Sequence, residues 1–329
     1  MTEILLIFWI LSAVIIILAR KVYRVIICFG VFSLISSVAY LVMGAPDVAM
    51  AEAAISAFAT IFFIICIERF YGGGVDLRKE EEQTANVDYK KIAKGAVVPL
   101  IFAVALCGLF IYFMPAAATS TYLKDQYLSL FMQDVGGENA VTAIYLGYRV
   151  YDTLFEALIL VAAVVAVSHM SWYDGAVAPG GRESDIKNSA MAKFTMRIIS
   201  PIVLIVGAYL IMNGHISAGG GFQGGLAIAT FFICRYMVYD IYDMPVKKVM
   251  KIEELVFINI TIIPILAIFM GFVYMFIGNP PLFQEIYLTV MNILIGLKVA
   301  CGFFILFYRY IAIERLSDYE EEGVRIHDS

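Results

Sequence analysis

Four acidic side chains and one lysine lie in or beside long apolar stretches of this sequence, where ionisable groups are rare. Asp47 and Glu52 fall in "GAPDVAMAEAAISAF" (44–58), Asp152 and Glu156 in "YDTLFEALIL" (151–160), and Lys298 in "GLKVACGFF" (296–304). An ionised side chain inside a membrane helix costs about 2.5–3.5 kcal/mol on insertion scales, so it faces protein or water. Groups held at that cost suit the uptake and release of protons.

The first acidic pair occupies two different environments. Pro46 is expected to end the second apolar helix, and Asp47 to lie at the N-terminus of the third. There the Asp47 carboxylate either caps backbone N–H groups or takes part in chemistry. Glu52 lies about 7–8 Å further along the axis, too deep to cap. Alanines beside it leave room for close helix approach and water. We predict that Glu52 binds a proton.

The second acidic pair and the lysine also have a structural and a functional interpretation each. Asp152 and Glu156 are spaced i, i+4 and share one helix face. Asp152 is near the surface and either caps the helix or takes part in proton transfer. Glu156 is a turn deeper and either carries protons or packs against a neighbouring helix. Lys298 is beyond snorkelling range and needs either an acidic partner, with Glu52, Glu156 or another subunit as candidates, or a lowered pKa. It either forms a static ion pair or takes part in ion movement.

A glycine-rich stretch, "NGHISAGGGFQGG" (213–225), is the remaining candidate site. It lacks the Gly-Lys-Ser/Thr ending of a phosphate-binding loop and follows no strand. We expect one helix to end near Asn213 and another to begin after the glycines, with His215 and Gln223 supplying polar groups. Backbone exposed at membrane depth is tolerated only within protein or along a wet cavity. The stretch is therefore either a functional polar turn or a site of tight packing.

The elements that position these residues are membrane helices. The chain has 329 residues, of which 62% are hydrophobic and only 16% charged, so it is an all-α integral membrane protein. The first apolar run lacks the features of a cleavable signal peptide and is interpreted as a membrane helix. Nine spans are predicted, at 4–19, 22–43, 48–67, 95–114, 153–170, 197–213, 219–238, 252–277 and 286–308.

The basic residues predict the orientation. Twenty of the 23 lysines and arginines fall on one side of the nine-span arrangement, with only Lys124 and Arg149 on the other and Lys298 inside. The excess indicates a cytoplasmic C-terminus and an outside N-terminus. Two segments of linker composition, 72–91 and 172–193, divide the helices into groups of three, two and four. The predicted modules are 1–71, 72–171 and 195–329, with a cytoplasmic linker at 172–194.

Two further expectations come from the connections and the cysteines. The outside connection 115–152 is semi-apolar and should contain a short helix at the surface or dipping inward. The five cysteines lie in or at the edge of apolar runs without a CxxC pair, which disfavours zinc and iron–sulfur ligation. We therefore expect no metal, no cofactor bound by this chain and no nucleic-acid partner.

These stretches together resemble the small membrane subunits of Mrp-type cation/proton antiporters. "GAPDVAMAEAAI" is similar to a Gly-Ala-Pro-Asp-x-Ala-x-Thr-Glu motif at the C-terminal end of their A-type subunit, equivalent to the D-type subunit of membrane-bound hydrogenases. "YRVYDTLFEALIL" resembles the Arg-x-x-Asp-Thr-x-x-Glu motif of the adjoining E-type subunit. "GHISAGGGFQGG", followed by the lysine-bearing last helix, resembles the Mrp B-type subunit, or hydrogenase F-type subunit. Ala51 and Ala218 depart from the Thr and Pro of these motifs.

The resemblance implies a subunit of a larger assembly in the membrane of a bacterium or archaeon. The expected partners are other Mrp-type membrane subunits, sodium ions, protons and the lipid bilayer. The large antiporter-like part of true A-type subunits does not precede the D-type region here. That favours a membrane-bound hydrogenase or related respiratory complex, with iron–sulfur and nickel–iron subunits, in which this chain is itself non-catalytic. The alternatives are a free-standing Mrp antiporter, a self-contained transporter, which should show internal repeats that this sequence lacks, and a structural adaptor that carries no ions.

Overall fold

The computed structural model describes residues 2–19, 22–71, 101–109, 112, 121–170, 190–238, 246–277 and 281–321. Every regular element in these ranges is helical, as the sequence predicts. Three helices open the chain, namely α1 (Thr2–Leu18), α2 (Val22–Val42) and α3 (Pro46–Tyr71). The expectation that Pro46 ends α2 is wrong, because α2 ends at Val42 and Pro46 is the first residue of α3. Proline fits this position because a first-turn nitrogen has no intrahelical acceptor.

The connection before the next long helix contains the predicted short helical structure, in two pieces. Helix α4 covers Tyr122–Asp134 and α5 covers Ala140–Ala143, followed by one π-helical turn at Ile144–Tyr148. Asn139 caps α5, since its Oδ1 accepts a hydrogen bond from the Val141 N–H at 2.9 Å. Thr142 and Ala143 of α5 are buried, so this part of the connection packs into the protein.

Five longer helices complete the described chain: α6 (Val150–Met170), α7 (Ala190–Asn213), α8 (Gly221–Val238), α9 (Val246–Ile277) and α10 (Pro281–Glu321). Two sequence boundaries need correction. Helix α8 begins within the glycine run rather than after it. Helix α7 begins at Ala190, so the last residues of the predicted 172–193 linker are helical. The rest of that linker and the whole of 72–91 lie outside the described residues.

Helix α10 is at the centre of the packing. Its side chains join those of α6, α8, α9 and the π turn in one buried apolar cluster: Leu146, Ala157, Leu226, Val256, Ile260, Leu288, Met291, Ile295 and Val299. A Cβ added at Gly225 of α8 would lie 2.4 Å from the Gly296 carbonyl oxygen of α10. Because glycine has no side chain there, the two backbones approach closely.

Helix α3 packs against α10 through aromatic side chains. The rings of Phe58 and Phe303 meet edge to face with centroids 4.7 Å apart. At the other side of the first module, Trp9 of α1 stacks on Phe32 of α2 at 5.1 Å. By packing, residues 1–70 and 130–329 form one compact unit and residues 71–129 a second, in which 101–109 are helical. All the site residues described below lie in the first unit.

The described helices include six that are long and apolar enough to cross a membrane: Val22–Val42, Pro46–Ile64, Val150–Met170, Lys193–Asn213, Val246–Gly271 and Gln284–Arg309. Each overlaps a predicted span. The predicted spans at 4–19 and 219–238 correspond to α1 and α8, and that at 95–114 is helical over 101–109. The prediction of an all-helical membrane protein is thus confirmed.

Candidate functional site

Glu52 lies more than one turn inside α3 and has a hydroxyl donor from the neighbouring helix. The Ser33 side chain of α2, which is buried, donates a short hydrogen bond to the Glu52 carboxylate. Such a donor offsets part of the cost of holding a carboxylate in apolar surroundings. The sequence analysis did not identify Ser33. The signal that could have found it is the group of three serines, Ser33, Ser36 and Ser37, in an otherwise apolar helix.

The other two serines of α2 hold the first module together. Ser37 donates to the Ala49 carbonyl of α3 at 2.7 Å. Ser36 accepts a hydrogen bond from the indole Nε1 of Trp9 in α1 at 2.7 Å. Helix α2 is therefore bonded to α1 and α3 on either side, and Glu52 is positioned by a three-helix unit.

The described hydrogen bonds of Asp47 do not cap α3. They link distant parts of the chain instead. Its Oδ1 accepts hydrogen bonds from the Asn139 side-chain amide at 2.9 Å and from the Gly219 N–H at 3.1 Å. Both Asp47 and Asn139 are buried. A carboxylate in the first turn of a helix is also stabilised by the positive end of the helix dipole. The structure thus brings Asp47 to the glycine-rich turn, which the sequence treated as a separate candidate.

Asn139 is the central residue of this polar cluster. Its amide nitrogen lies 3.1 Å from the Gly214 carbonyl oxygen and 3.0 Å from that of Ser217, besides its contact with Asp47. The carbonyl oxygen of His215 accepts the backbone N–H groups of Glu138 and Asn139 at 2.9 and 3.0 Å. One side chain therefore joins α3, α5 and the turn before α8.

The glycine-rich turn requires glycine for two reasons. Gly220 has a φ of +156°, a conformation that side chains disfavour. A Cβ at Gly220 would also lie 2.5 Å from the Tyr145 hydroxyl and 3.0 Å from the Gln223 amide oxygen. Gln223, one of the predicted polar groups, therefore lies beside the turn. The turn is tightly packed, and its Gly219 and Gly221 N–H groups bond to side chains, while a function for the turn stays a prediction.

Asn292 of α10 joins this turn to the membrane helices. Its Oδ1 accepts hydrogen bonds from the Gly221 N–H and from the Tyr145 hydroxyl, each at 3.1 Å. Burial raises the pKa of Tyr145 to about 12, so its hydroxyl stays protonated at neutral pH. The His215 ring lies beside α10 about one turn before Asn292, with Nδ1 3.5 Å from the Thr289 hydroxyl oxygen. We name this group, consisting of Asp47, Asn139, Tyr145, His215, Gly219–Gln223 and Asn292, the polar turn cluster.

Lys298 forms an ion pair with Glu253 of α9. Lys298 is only 1% exposed and Glu253 only 7%. The Lys298 ammonium also lies 5.1 Å from the centroid of the Phe257 ring, one turn along α9 from Glu253. The sequence analysis named Glu52, Glu156 and another subunit as partner candidates, and neither of those two glutamates pairs with Lys298 among the described residues. It missed Glu253 because that residue falls at the end of a predicted span, where acidic side chains are common.

Asp152 and Glu156 lie on the exposed surface of α6. Asp152 pairs with Arg149 at 2.6 Å, and the two side chains are 57% and 62% exposed. Glu156 is exposed one turn further into the helix. The structure keeps both on one face, as predicted, but no described hydrogen bond or ion pair joins the Asp152 or Glu156 carboxylate to Lys298 or the polar turn cluster.

The arrangement offers three titratable positions inside apolar helices: Glu52 with Ser33, the Glu253–Lys298 pair, and Glu156. Glu52 is partly buried with a hydrogen-bond donor, the Glu253–Lys298 pair is buried, and Glu156 is exposed. Charges with such partners inside apolar helices can hold and release protons or balance a passing cation. Among the described residues, no group of three His, Cys, Asp or Glu side chains converges on a metal-sized site.

Two protein families match separate parts of the chain. Residues 7–71 match the MbhD family, described as the D-type subunit of MBH. Residues 191–314 match the "Domain related to MnhB subunit of Na+/H+ antiporter". The first match contains Asp47 and Glu52, and the second contains the glycine-rich turn, Glu253 and Lys298.

Individual relatives also match parts of this chain. An uncharacterised protein of Methanocaldococcus jannaschii is 31% identical over 220 residues, which cover 56% of this chain and 82% of that protein. "Putative antiporter subunit mnhB2" of Staphylococcus saprophyticus is 31% identical over 118 residues, covering 32% of this chain and 81% of that subunit. "Putative antiporter subunit mnhA2" of Staphylococcus haemolyticus is 27% identical over 154 residues, covering 47% of this chain but 18% of that subunit.

Two solved structures share the fold. A chain of the membrane-bound sulfane sulfur reductase, an archaeal respiratory membrane complex, superposes with a TM-score of 0.53 at 24% identity, over 68% of this chain and 98% of that one. A chain of the Mrp complex from Dietzia superposes with a TM-score of 0.60 at 17% identity, over 91% of this chain and 34% of that one. At these identities the similarity establishes the fold alone.

Proposed function

Because this chain belongs to the family of Mrp-type antiporter subunits, joining an MbhD domain to an MnhB-related domain, we propose that it provides a buried charged path for protons and cations. It is a multi-pass protein of the cell membrane and works as one part of an Mrp-type module. Its partners are other Mrp-type membrane subunits. The transported species are protons and, because the MnhB family belongs to Na+/H+ antiporters, sodium ions.

The observation that carries this proposal is the ion pair between Lys298 and Glu253. Both side chains are almost completely buried inside membrane helices of the MnhB-related domain. A buried ion pair is a poor way to gain stability, because the desolvation cost of two charges can exceed their attraction. A charged pair buried in this way is better explained by the movement of a charge past it.

We propose that the path contains Glu52, Asp47, Glu156, Asp152, Lys298, His215 and Gln223. We include Ser33, Asn139 and Glu253 because they contact Glu52, Asp47 and Lys298, respectively. Glu52 and Glu156 exchange protons, and the Glu253–Lys298 pair responds to the charge that passes. At the N-terminus of α8, Asp47 supplies a carboxylate and the other groups of the polar turn cluster supply fixed dipoles. Support comes from the hydrogen bonds that join Asp47, Asn139 and Gly219.

The finer membrane arrangement is also part of the proposal. We propose nine spans, an outside N-terminus and a cytoplasmic C-terminus, which the distribution of lysine and arginine supports. We propose the modules 1–71, 72–171 and 195–329, joined at 172–194. The two family matches at 7–71 and 191–314 support the first and the last of these.

We further propose that the complex is redox-driven, of the membrane-bound hydrogenase or related respiratory type. The match to the MbhD family and the shared fold with a chain of an archaeal respiratory complex favour this assignment. Purification in mild detergent tests it. Iron–sulfur and nickel-site subunits should co-purify with the chain. Recovery of Mrp-type membrane subunits without redox subunits would favour a free-standing antiporter instead.

The transport role is tested by removing both members of the buried pair. Lys298→Met with Glu253→Gln leaves neither charge unpaired, so the complex should assemble. We expect the reconstituted variant to lose sodium-dependent proton movement, measured with a pH-sensitive dye in vesicles. The matched control is Lys251→Met with Glu254→Gln, which removes an exposed lysine and glutamate from the same helix. Transport at the wild-type rate by the first variant would favour the structural-adaptor alternative.

A further inference from the structure

Glu156 is exposed on the outer surface of the chain at membrane depth. It lies six residues after the start of α6 at Val150, or about 9 Å along the helix axis. Two of its neighbours on that surface, Phe155 and Ile159, are 63% and 71% exposed. The carboxylate is therefore surrounded by apolar side chains that face away from the chain.

Asp152, one turn earlier, is compensated by its ion pair with Arg149. Glu156 has no hydrogen bond or ion pair with any residue that the structure describes. In contact with lipid, its charge would be unfavourable by about 2.5–3.5 kcal/mol on insertion scales. The residue therefore needs a polar partner that this surface of α6 does not provide.

Helix α6 already uses another face for contacts within the chain. Thr153 donates to the Tyr145 carbonyl at 2.6 Å, Ala157 is buried in the core cluster, and Leu160 lies against Gly302 of α10. The Glu156 face consists of Asp152, Glu156, Ile159, Ala163 and Ala166. It is rotated about the helix axis by about 100° from the face that contacts the rest of the chain. Its last two members are small and allow another helix to approach closely.

We infer that the Glu156 face of α6 binds a membrane helix of a different subunit, which presents a basic side chain to the Glu156 carboxylate. This inference rests on the proposed place of the chain in a multisubunit complex. Lipid tails offer no hydrogen-bond donor to the Glu156 carboxylate, which excludes them as its partner. A second copy is excluded because a two-fold pairing would bring two Glu156 carboxylates together. The remaining apolar stretch of the chain, 95–114, contains no basic residue.

A photo-crosslinking amino acid placed at Ile159 in the assembled complex, in native membranes, tests this inference. We expect an adduct with one co-purifying membrane subunit, on a peptide that carries a lysine, arginine or histidine within about one turn of the attachment point. The control is the same amino acid at Ile205 of α7, which is 68% exposed on an apolar helix face. That position should yield lipid adducts.

A second variant tests the role of the carboxylate. Glu156→Leu should lower the yield of the Ile159 adduct severalfold, while Glu156→Gln, which can still accept a hydrogen bond, should retain most of it. Adducts at Ile159 with lipid, with this same chain or with a second copy would overturn the inference. Formation of the Ile159 adduct does not depend on transport. A transport-deficient Glu52→Gln complex should therefore give the adduct at full yield. This result separates the inference about the Glu156 face from the proposed path.

Discussion

The side-chain amide of Asn139 donates a hydrogen bond of 2.9 Å to the carboxylate of Asp47, and both residues are buried. This bond joins the MbhD domain to a segment that neither family match covers. Through Gly214, Ser217 and Gly219 the same two residues reach the MnhB-related domain. The polar contacts of three parts of the chain therefore converge on one pair.

Asn139→Leu should lower the thermal stability of the purified complex. The substitution removes a donor from Asp47 and from two carbonyl groups, and each buried polar group left without a partner costs about 1–3 kcal/mol. Measurement of unfolding for Asn139→Leu, Asp47→Leu and the double variant gives the coupling energy of the pair. Asn259→Leu is the control, because the Asn259 amide bonds Leu255 in its own helix. Additive effects of the two substitutions would contradict a direct interaction.

Glu52→Gln should assemble normally and abolish proton-coupled cation transport. Glutamine keeps the size of the side chain and can still accept the Ser33 hydrogen bond, but it cannot titrate. Glu52→Asp retains a titratable group and should keep part of the activity. Proton and cation fluxes in reconstituted vesicles measure both variants. Wild-type transport by Glu52→Gln would show that this residue is structural.

Ser33→Ala should slow transport without abolishing it. The substitution removes the hydroxyl that donates to Glu52, and a hydrogen bond to a charged group contributes about 1.5–3 kcal/mol. We expect a loss of about tenfold or more in rate, with recovery in Ser33→Thr, which keeps a hydroxyl. Ser36→Ala is the matched control on the same helix, since Ser36 bonds Trp9 instead. Equal rates for Ser33→Ala and the wild type would mean that the hydroxyl has no part in the path.

Single substitutions in the Glu253–Lys298 pair should destabilise the protein more than the double substitution does. Removing one partner leaves a buried charge without compensation, which costs about 3–5 kcal/mol. Lys298→Met and Glu253→Gln should each lower the unfolding temperature of the complex, and the double variant should recover much of the loss. If the double variant is instead the least stable of the three, the pair contributes to stability and not to transport alone.

Several features of this protein follow from its sequence alone, because they depend on local chemistry. Apolar runs of about twenty residues require helices, since every backbone group must be satisfied within the segment in lipid. The rarity of charge within those runs singles out Glu52, Glu156 and Lys298. The glycine run predicts a turn at membrane depth, and Gly220 shows why, because its conformation and its neighbours both exclude a side chain.

Only the tertiary structure decides which of these residues meet. Lys298 pairs with Glu253 and Asp47 with Asn139, and neither partner was identified from the sequence. The reason is physical, since helical spacing fixes which residues share a face but not which faces of different helices come together. That choice is made by close packing, such as the approach of α8 to α10 at Gly225, and by hydrogen bonds between segments far apart in the chain. It is also why the sequence could place Glu156 on a face with Asp152 but not show that this face is exposed.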